Sequence, residues 1–502
     1  MTEEQQDITE SSIDERRAEE GISSHGNAKT MRMGTASVPM LLLEFAIPSI
    51  VGMLINGLYN VISSIFLGQA TGAVGLAVTT AAFPISIIFM ALAMLVGNGG
   101  NALAALRLGE GRRDEAELTL GNTVTLALII SVLVAIFTSI PPCMELLLSI
   151  SSASDPEIHD YTKTYVYILS LGVIFQITGM GINNFIRTAG APNRALVTMV
   201  VGAVACVVLN YLFVMVLGWG IPGSALATVL GQAISCISVI WYFIFTPGVP
   251  MQIKLPCMKL DSRVVKEILT LGTASFLLQA ASCVSNLIVN HQLVVYGALS
   301  VVGAQNAMAA IGVVSKLAGI AFMPIIGVSA AAQPLLGYNY GAGNVPRVRK
   351  AIGFAILYAV ILGTAMWGIT RLWPEQIVGL FGVDAELMDL TVFVLHVQML
   401  LMPVIGLQVC TSNYFQATGQ PKKSIALSLT RQILFLIPAL LLLPIVGPMF
   451  VDTDGLYALF ASWPIADGLC VITSGSFLLW ELRRLKRIET GELTDDFFGG
   501  GK

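Results

Sequence analysis

Two stretches of this chain repeat each other at a fixed distance, and this duplication constrains the fold more than any other feature. Residues 184–194 and 413–423 share an Asn, a Gly and a Pro at the same spacing, and each pair lies 229 positions apart (413 − 184). Residues 109–112 and 341–344 both begin with Gly-x-Gly and lie 232 positions apart (341 − 109). One structural unit is therefore present twice. Each motif interrupts two long apolar runs, so the unit consists of apolar segments joined by turns.

The composition places these apolar segments in a membrane. Hydrophobic residues make up 55% of the 502 positions and charged residues 12%, with a mean hydropathy of +0.79. A soluble domain carries about 25% charged residues, so this chain requires lipid around it. The net charge of −4 is uninformative, because the charges are concentrated in loops and tails. The seven cysteines show no metal-ligand spacing, which predicts buried thiols without disulfides.

Twelve apolar runs are long enough to cross a bilayer, because a helix needs about 20 residues to span a hydrocarbon core of about 30 Å. The predicted fold class is an all-α polytopic membrane protein, with twelve transmembrane helices in two repeated six-helix lobes around a central cavity. The predicted divisions are a disordered acidic cytoplasmic tail (1–37), an N-terminal lobe (38–246), a cytoplasmic connector (247–267), a C-terminal lobe (268–481) and a cytoplasmic tail (482–502).

The distribution of Lys and Arg among the loops predicts the orientation. The loops after the second, fourth, eighth and tenth spans and the connector are basic, whereas residues 141–161, 374–390 and 448–454 contain acids and no Lys or Arg. Basic loops remain in the cytoplasm, so both termini are predicted to be cytoplasmic and the two halves to share one orientation. No secretory signal precedes the first apolar run, which begins near Val38 behind an acidic segment.

Polar side chains recur on one face of the first helix of each lobe, at spacings of three, four and seven residues. Such stripes either line a cavity between the lobes or form hydrogen bonds between helices. Two stripes at equivalent places favour the cavity, because repeat interfaces are where transporters bind their substrates. The stripes comprise Asn56, Tyr59, Asn60 and Ser63 in the first span, and Gln279, Ser282, Asn286 and Asn290 in the seventh.

Methionine and phenylalanine side chains within the spans offer soft, adaptable apolar surface, which would suit varied lipophilic cations. Packing against other helices or lipid is the alternative for each of them taken singly. The predicted substrate-binding residues are Met53, Asn56, Tyr59, Asn60, Phe175, Gln279, Asn286 and Asn290.

Ionisable residues deep in the spans are few, and each is a functional candidate by default. They are Lys316, His291, His396, Arg431 and Asp467, with Glu44 near the start of the first span. A structural pair between Arg431 and Asp467 is the alternative to a functional role for either residue. The sequence contains no Walker motif, no His-Glu-x-x-His and no Gly-x-Ser-x-Gly, so nothing in it indicates an ATP-driven pump, a zinc protease or a serine hydrolase.

Several of these motifs resemble the multidrug and toxic compound extrusion (MATE) family, in particular its bacterial multidrug efflux branch. The resemblance covers roughly residues 38–480. Its most specific part is Tyr338-Asn339-Tyr340-Gly341-Ala342, and other parts are Leu58-Tyr59-Asn60, Arg431-Gln432 and Pro464-Ile465-Ala466-Asp467. The resemblance implies twelve helices, a central cavity and export of organic cations or amphipathic drugs by alternating access, in antiport with protons or sodium ions. It also implies a bacterial inner membrane location.

Two positions depart from the family pattern. Relatives carry a cation-coupling Asp in the first helix and another in the fifth, where this chain has Ser63 and Asn210. Because neither side chain can titrate, we expect any proton coupling to use another group, and Asp467 is the best candidate. The predicted cation-coupling positions are thus Asp467, Ser63 and Asn210. A weakly coupled or facilitated carrier is the alternative.

The resemblance implies no organic cofactor, no nucleic-acid partner and no protein partner besides the small-molecule substrate and the lipid bilayer. A flippase for lipid-linked glycans, from the wider superfamily, is the alternative within the transporter class. A receptor or scaffold would not need a duplicated half. A membrane-embedded enzyme would need converging acid, base or metal groups, which the sequence does not show.

Overall fold

The computed structural model describes residues 31–149, 156–381, 385–450 and 454–492, without the side chains of residues 59–61, 64, 73, 76, 385, 386 and 450. The predicted acidic tail lies mostly outside these residues. The first half contains α1 (Val38–Gly109), α2 (Arg113–Ser139), α3 (Pro141–Leu148), α4 (Pro156–Leu171), α5 (Val173–Thr188), α6 (Pro192–Asn210) with a π-helical end (Tyr211–Val216), and α7 (Gly220–Phe245). A 3-10 turn (Leu255–Met258) lies in the connector.

The second half has the same order of helices. It contains α8 (Ser262–Leu299), α9 (Ala304–Gly341), α10 (Val345–Leu372), α11 (Pro374–Gly379), α12 (Ala385–Gln398), α13 (Met402–Ala417), α14 (Pro421–Leu429) with a π-helical end (Thr430–Leu436), α15 (Ile437–Phe450), α16 (Gly455–Phe460) and α17 (Ser462–Glu489).

These helices form twelve spans when each bent pair counts as one. Ten segments are long and apolar enough on their own, and two pairs qualify together, with bends of 52° between α4 and α5 and 45° between α12 and α13. Spans 1 and 2 are the two arms of α1, which breaks at Gly72 (φ 63°). Spans 3 to 12 are α2, α4 with α5, α6, α7, α8, α9, α10, α12 with α13, α14 with α15, and α16 with α17. The prediction of an all-helical protein with twelve spans is confirmed.

The duplication is visible in the turns between helices. Glycines with positive φ occur at equivalent places, Gly111 with Gly343 and Gly190 with Gly419, because a left-handed turn excludes most side chains. The π-helical segments of spans 5 and 11 do not follow the repeat. The first comes after 19 residues of helix and the second after 9, so the two halves differ in where these spans deform.

All motifs of the duplication lie at one end of the bundle, which we call the basic side. The ends of spans 2, 4, 6, 8 and 10 meet here. The other end, where Glu145 and Glu375 lie, is called the acidic side.

The first helix of each lobe passes from one lobe to the other. On the basic side, Leu42 and Phe45 of span 1 belong to the apolar core of the second half, together with Leu336 and Tyr414. Further along the same helix, Ser63 forms a hydrogen bond with Asn210 in span 5 of the first half.

Span 7 passes between the lobes in the opposite direction, with its start in the first lobe and its later part in the second. Ile268 and Leu271 lie in an apolar core of the first half, and Val289 and Leu293 lie in that of the second. The division into two lobes at residue 247 therefore does not describe the basic side, where the lobes exchange the ends of their first helices. Hydrophobic periodicity identifies the buried face of a helix but not the neighbour that it meets.

Three predicted boundaries differ from the structure. The tail was predicted to be disordered up to residue 37, but Met33 is fully buried and its carbonyl accepts a hydrogen bond from Asn339 Nδ2 (3.0 Å). Span 7 begins at Ser262 rather than 268, behind an Asp261 side chain that accepts from the Arg263 backbone N–H. Span 12 continues to Glu489 rather than 481. The length of an apolar run identifies only the lipid-covered part of a helix, whereas capping groups and ion pairs extend the helix into water.

The close contact between spans 2 and 7 yields a test of the packing. A Cβ at Gly272 would lie 1.7 Å from the Leu95 carbonyl oxygen, whereas a Cβ at Gly353 would meet nothing within 4 Å. We expect Gly272→Ala to lower the melting temperature in detergent, because overpacking costs about 1–3 kcal/mol. The matched control Gly353→Ala should melt at or slightly above the parent temperature, because alanine favours a helix. Equal melting of both variants would show that the two backbones do not need this approach.

Candidate functional site

The two lobes are closed against each other on the basic side by glycine contacts. A Cβ at Gly109 would lie 2.0 Å from the Tyr338 carbonyl oxygen, and one at Gly341 would lie 2.2 Å from that of Leu106. These two glycines are equivalent positions of the duplication, so spans 2 and 8 meet through the same residues of each half. Small residues let helix backbones approach closely in membranes. This glycine seam therefore holds the basic side shut.

A second pair of repeat-related residues joins the same two spans deeper in the bundle. Asn101 donates from Nδ2 to Gln333 Oε1 at 3.1 Å, and the two residues are 232 positions apart. Thr188 donates to Asn101 Oδ1 at 2.7 Å. Asn101 and Gln333 are both buried, so the bond is protected from water. We did not predict these residues, although polar residues at the repeat distance were a signal in the sequence.

An amide network extends this junction to spans 4, 7 and 10. Asn184 donates to Asn98 Oδ1 at 3.0 Å, and Asn98 donates to Ser275 Oγ at 3.1 Å. Gln416 donates to Ser275 Oγ at 3.0 Å and to the Leu271 carbonyl at 2.9 Å. The network links both lobes, because Asn98 and Asn184 belong to the first half, and Ser275 and Gln416 to the second.

An ion pair joins spans 2 and 7 at the outer edge of the basic side. Arg107 of span 2 bonds Glu267 of span 7 at 3.0 Å, and also Glu110 (3.0 Å) and Glu115 (3.1 Å) of its own lobe. The Arg107 side chain is only 14% exposed, so these contacts are partly shielded from solvent. Because the start of span 7 packs on the first half, this bond ties span 7 to span 2 on the basic side.

Toward the acidic side, the polar faces of the first helices become accessible. Of the predicted residues of span 7, Asn286 and Asn290 are exposed and Gln279 is half-buried. Asn286 donates to the Ser282 carbonyl of its own helix. The Ser282 hydroxyl accepts from Gln432 Nε2 of span 11 at 2.9 Å, which is the hydrogen bond between helices that the sequence left open as the alternative to lining a cavity. In span 7, Asn286 and Asn290 thus face away from the lobe interior, whereas Ser282 binds a neighbouring helix.

The predicted residues of the first half are also partly accessible. Met53, Asn56 and Phe175 are half-buried. The side chains of Tyr59 and Asn60 lie outside the described residues. Span 1 crosses between the lobes in this region: Gly57 lies against Met323 of span 8, and Gly52 against Met199 of span 5. The assignment of these residues to substrate binding stays a prediction.

The two positions that depart from the family pattern lie together. Asn210 donates from Nδ2 to Ser63 Oγ at 3.2 Å and to the Cys206 carbonyl at 3.0 Å. Asn210 is fully buried, and its Oδ1 has no hydrogen-bond partner among the described residues. The site is neutral and hydrogen-bonded, where the resemblance implies two carboxylates.

The second half contains a charged pair at depth. Arg431 Nε lies 2.7 Å from Asp467 Oδ1, and Asp467 is 3% exposed. The structure thus brings together spans 11 and 12 through the two residues that the sequence marked as partners. The other candidates lie in different settings: Glu44 pairs with Arg32 at an exposed site, His291 is exposed and His396 is half-buried. Across the described ranges, no group of three or more His, Cys, Asp or Glu could hold a metal ion.

Two repeated six-helix lobes, closed at one end and exposing polar helix faces toward the other, define the architecture of a membrane transporter. The sequence profile of the MatE family matches residues 48–212 and 281–441, more than half of the chain. The chain belongs to the MatE family.

Individual relatives are similar over nearly their whole length. Multidrug export protein MepA of Staphylococcus haemolyticus (strain JCSC1435) is 24% identical over 463 residues, covering 92% of this chain and 97% of that protein. MepA of Staphylococcus aureus (strain MSSA476) is 23% identical over 461 residues, covering 90% and 96%.

Solved structures share the fold. An outward-facing multidrug resistance MATE family transporter of the MOP superfamily has a TM-score of 0.83 at 22% identity, covering 91% of this chain and 98% of that one. The MATE multidrug transporter DinF-BH, in complex with rhodamine 6G, has a TM-score of 0.79 at 32% identity, covering 90% and 97%.

The ion pair between Arg107 and Glu267 can be tested with a probe placed behind it. In a Ser275→Cys background, we expect Arg107→Gln to accelerate labelling by a hydrophilic maleimide in detergent. A loss of about 1–2 kcal/mol from this contact corresponds to a factor of about 5–30 in the population in which span 7 is displaced from span 2. The control is Arg263→Gln, since Arg263 is 75% exposed and pairs with Glu267 within span 7 only. Equal labelling rates in both variants would show that the pair does not hold span 7 against span 2.

Proposed function

We propose that this protein exports amphipathic small molecules across the cell membrane by alternating access. The observation that carries this proposal is the asymmetry of the lobe contacts. The basic side is closed by the glycine seam of Gly109 and Gly341, whereas Asn286 and Asn290 are exposed toward the other side. A substrate bound between the lobes would be released on the acidic side, and breaking the seam would admit the next one. The MepA relatives, named multidrug export proteins, support multidrug efflux as the activity.

The orientation proposed for this cycle puts the basic side and both termini in the cytoplasm of a bacterial cell. Short loops rich in Lys and Arg stay on the cytoplasmic side of the membrane. The arrangement with a closed basic side is then the outward-facing one. Loss of substrate to the exterior in this state is the step that makes the protein an exporter.

The orientation predicts how introduced cysteines react. We expect Cys at Glu375, an exposed position at the start of α11, to react with an impermeant maleimide in intact cells. Cys at Lys422, an exposed position at the start of α14, should react only after permeabilisation. The parent protein reports the background of its seven native thiols. Labelling of Lys422→Cys in intact cells would reverse the orientation.

The proposed substrates combine an apolar body with polar groups. Met53 and Phe175 offer adaptable apolar surface, and Gln279, Asn286 and Asn290 offer amide groups. Rhodamine 6G in the complex with DinF-BH is a ligand of that transporter. The resemblance to the family implies organic cations or amphipathic drugs, and the proposal here is the amphipathic class.

The proposed coupling is an antiport with protons or sodium ions that uses the second lobe. Asp467 is the buried carboxylate of span 12, and Arg431 holds it at 2.7 Å. Ser63 and Asn210 form a neutral hydrogen bond in the first lobe and have no proton to exchange near neutral pH. Asp467 could alternate between its bond to Arg431 and a bound cation when the lobes rearrange.

Transport in proteoliposomes tests both the export activity and the coupling. We expect efflux of an amphipathic dye to accelerate when a proton or sodium gradient is imposed. Asp467→Asn should abolish this gradient dependence while leaving downhill movement, because the amide cannot exchange a cation. Ser63→Ala is the control and should retain the dependence on the gradient.

The export activity and the coupling through Asp467 can be contradicted independently. No movement of any dye from vesicles that contain folded protein would contradict export. Full gradient dependence in a folded Asp467→Asn variant would exclude Asp467 as the coupling group and leave Glu44, His291 and His396 to be tried.

A further inference from the structure

A lysine in the membrane-spanning part of α9 (span 8) is not used by any contact described above. Lys316 is exposed, and its ammonium forms no ion pair or hydrogen bond with any residue in the described part of the chain. It lies twelve residues after the start of α9 at Ala304, about 18 Å along the helix at 1.5 Å per residue. A charged side chain this far into a span faces protein or water, since lipid does not solvate it.

Helix geometry directs Lys316 toward the space between the lobes. Met323 and Gly327 of the same helix contact span 1, at Gly57 and at Ile50. At 3.6 residues per turn, Lys316 lies within about 20° of both of these residues around the helix axis. The face of α9 that touches span 1 at Met323 therefore continues to Lys316, where it is exposed.

The neighbours of Lys316 on this face leave room for a ligand. Gly312 and Gly319 lie one turn to each side of it, and a Cβ added at either would meet nothing within 4 Å. The two glycines thus flank the ammonium with open space. On the adjacent span 7, Asn286 and Asn290 are exposed and carry amide N–H groups.

The charges around this space leave the ammonium without a counter-ion. Asp467, the buried acid of the second lobe, is already paired with Arg431. On the first lobe, Ser63 and Asn210 are neutral. A ligand that enters between the lobes therefore meets a positive charge together with amides.

We propose that Lys316 binds an anionic group of the substrate, such as a carboxylate, sulfonate or phosphate, and that this transporter prefers amphipathic organic anions. This inference rests on the proposed export function and specifies the charge of its substrates. A charge-assisted hydrogen bond from an ammonium to an oxyanion is among the stronger polar contacts available at such a site.

The same charge gives the substrate a role in the transport cycle. When the cavity closes around its contents, the Lys316 ammonium loses water, and a charge without a partner opposes that step. An anionic ligand supplies the partner, so closure is favoured with substrate bound and disfavoured without it. A cationic ligand would add repulsion at this step.

The test compares two xanthene dyes of similar shape and opposite charge, the anion fluorescein and the cation rhodamine 6G. Fluorescence polarisation with the purified full chain measures both dissociation constants. We expect tighter binding of fluorescein, and Lys316→Gln should weaken it about tenfold while leaving rhodamine 6G unchanged, because only the charge-assisted bond is lost. Lys316→Arg should retain fluorescein binding, and Lys316→Glu should reverse the preference.

The matched control is Lys350→Gln, at an exposed cation on the basic side outside this space, which should change neither constant. Tighter binding of rhodamine 6G, with no effect of the Lys316 variants on either dye, would overturn the inference. If vesicles still export rhodamine 6G in that case, the proposed function stands without it. Failure of the folded protein both to bind and to export either dye would contradict the proposed function, and the inference with it.

Discussion

The close approach of helix backbones at glycine is the interaction on which the rest of this structure depends. At the ends of spans 2 and 8, Gly109 lies against the backbone of span 8 and Gly341 lies against the backbone of span 2. Where span 7 begins, Gly272 lies against the Leu95 carbonyl. Lipid tails are as apolar as a leucine side chain, so apolar burial alone does not drive helices together in a bilayer. Backbone contact of this kind, strengthened by the Asn101–Gln333 bond, brings the two lobes together on one side. Toward the opposite side, Asn286 and Asn290 of span 7 are exposed.

The first helix of each lobe packs against both lobes, so a movement between the lobes also moves these two helices. Span 1 packs on the second lobe through Phe45 and on the first through Ser63, and span 7 does the reverse with Ile268 and Leu293. Each of these helices therefore belongs to both lobes and carries its polar face across the gap. A movement of one lobe against the other must tilt both helices. The polar residues between their two contacts are then the ones whose surroundings change most during transport.

The two lobes have diverged in charge although they share one architecture. The first has the neutral pair of Ser63 and Asn210, and the second has the ion pair of Arg431 and Asp467. A buried ion pair is costly to separate, whereas Ser63 and Asn210 are joined only by a hydrogen bond between neutral groups. Lys316 adds to the same half a positive charge that has no partner among the residues that the structure describes. Coupling and substrate selection are thus both assigned to the second lobe in the function proposed here.

The sequence alone determined the class of structure, because its decisive signals are local. Twelve apolar runs, the Gly and Pro residues between them and the concentration of Arg and Lys at one end are properties of single segments, and the structure confirms the first two. Asn101 and Gln333 lie at the repeat distance of 232 positions, but the sequence analysis did not identify them and only the structure showed their bond. The candidate acid Asp467 and its partner Arg431 were also identifiable, because charged residues deep in an apolar run are rare.

Only the tertiary structure decided which helices meet. That span 1 begins against the second lobe and that Ser282 binds Gln432 of span 11 both depend on contacts between distant segments. A lipid-facing helix surface and a protein-facing one are both apolar, so hydrophobicity does not distinguish them. The size of the side chains does distinguish the two surfaces, because a neighbouring helix backbone can approach a glycine closely but not a larger residue. For that reason the closed side of this transporter follows from three-dimensional packing and not from the order of its residues.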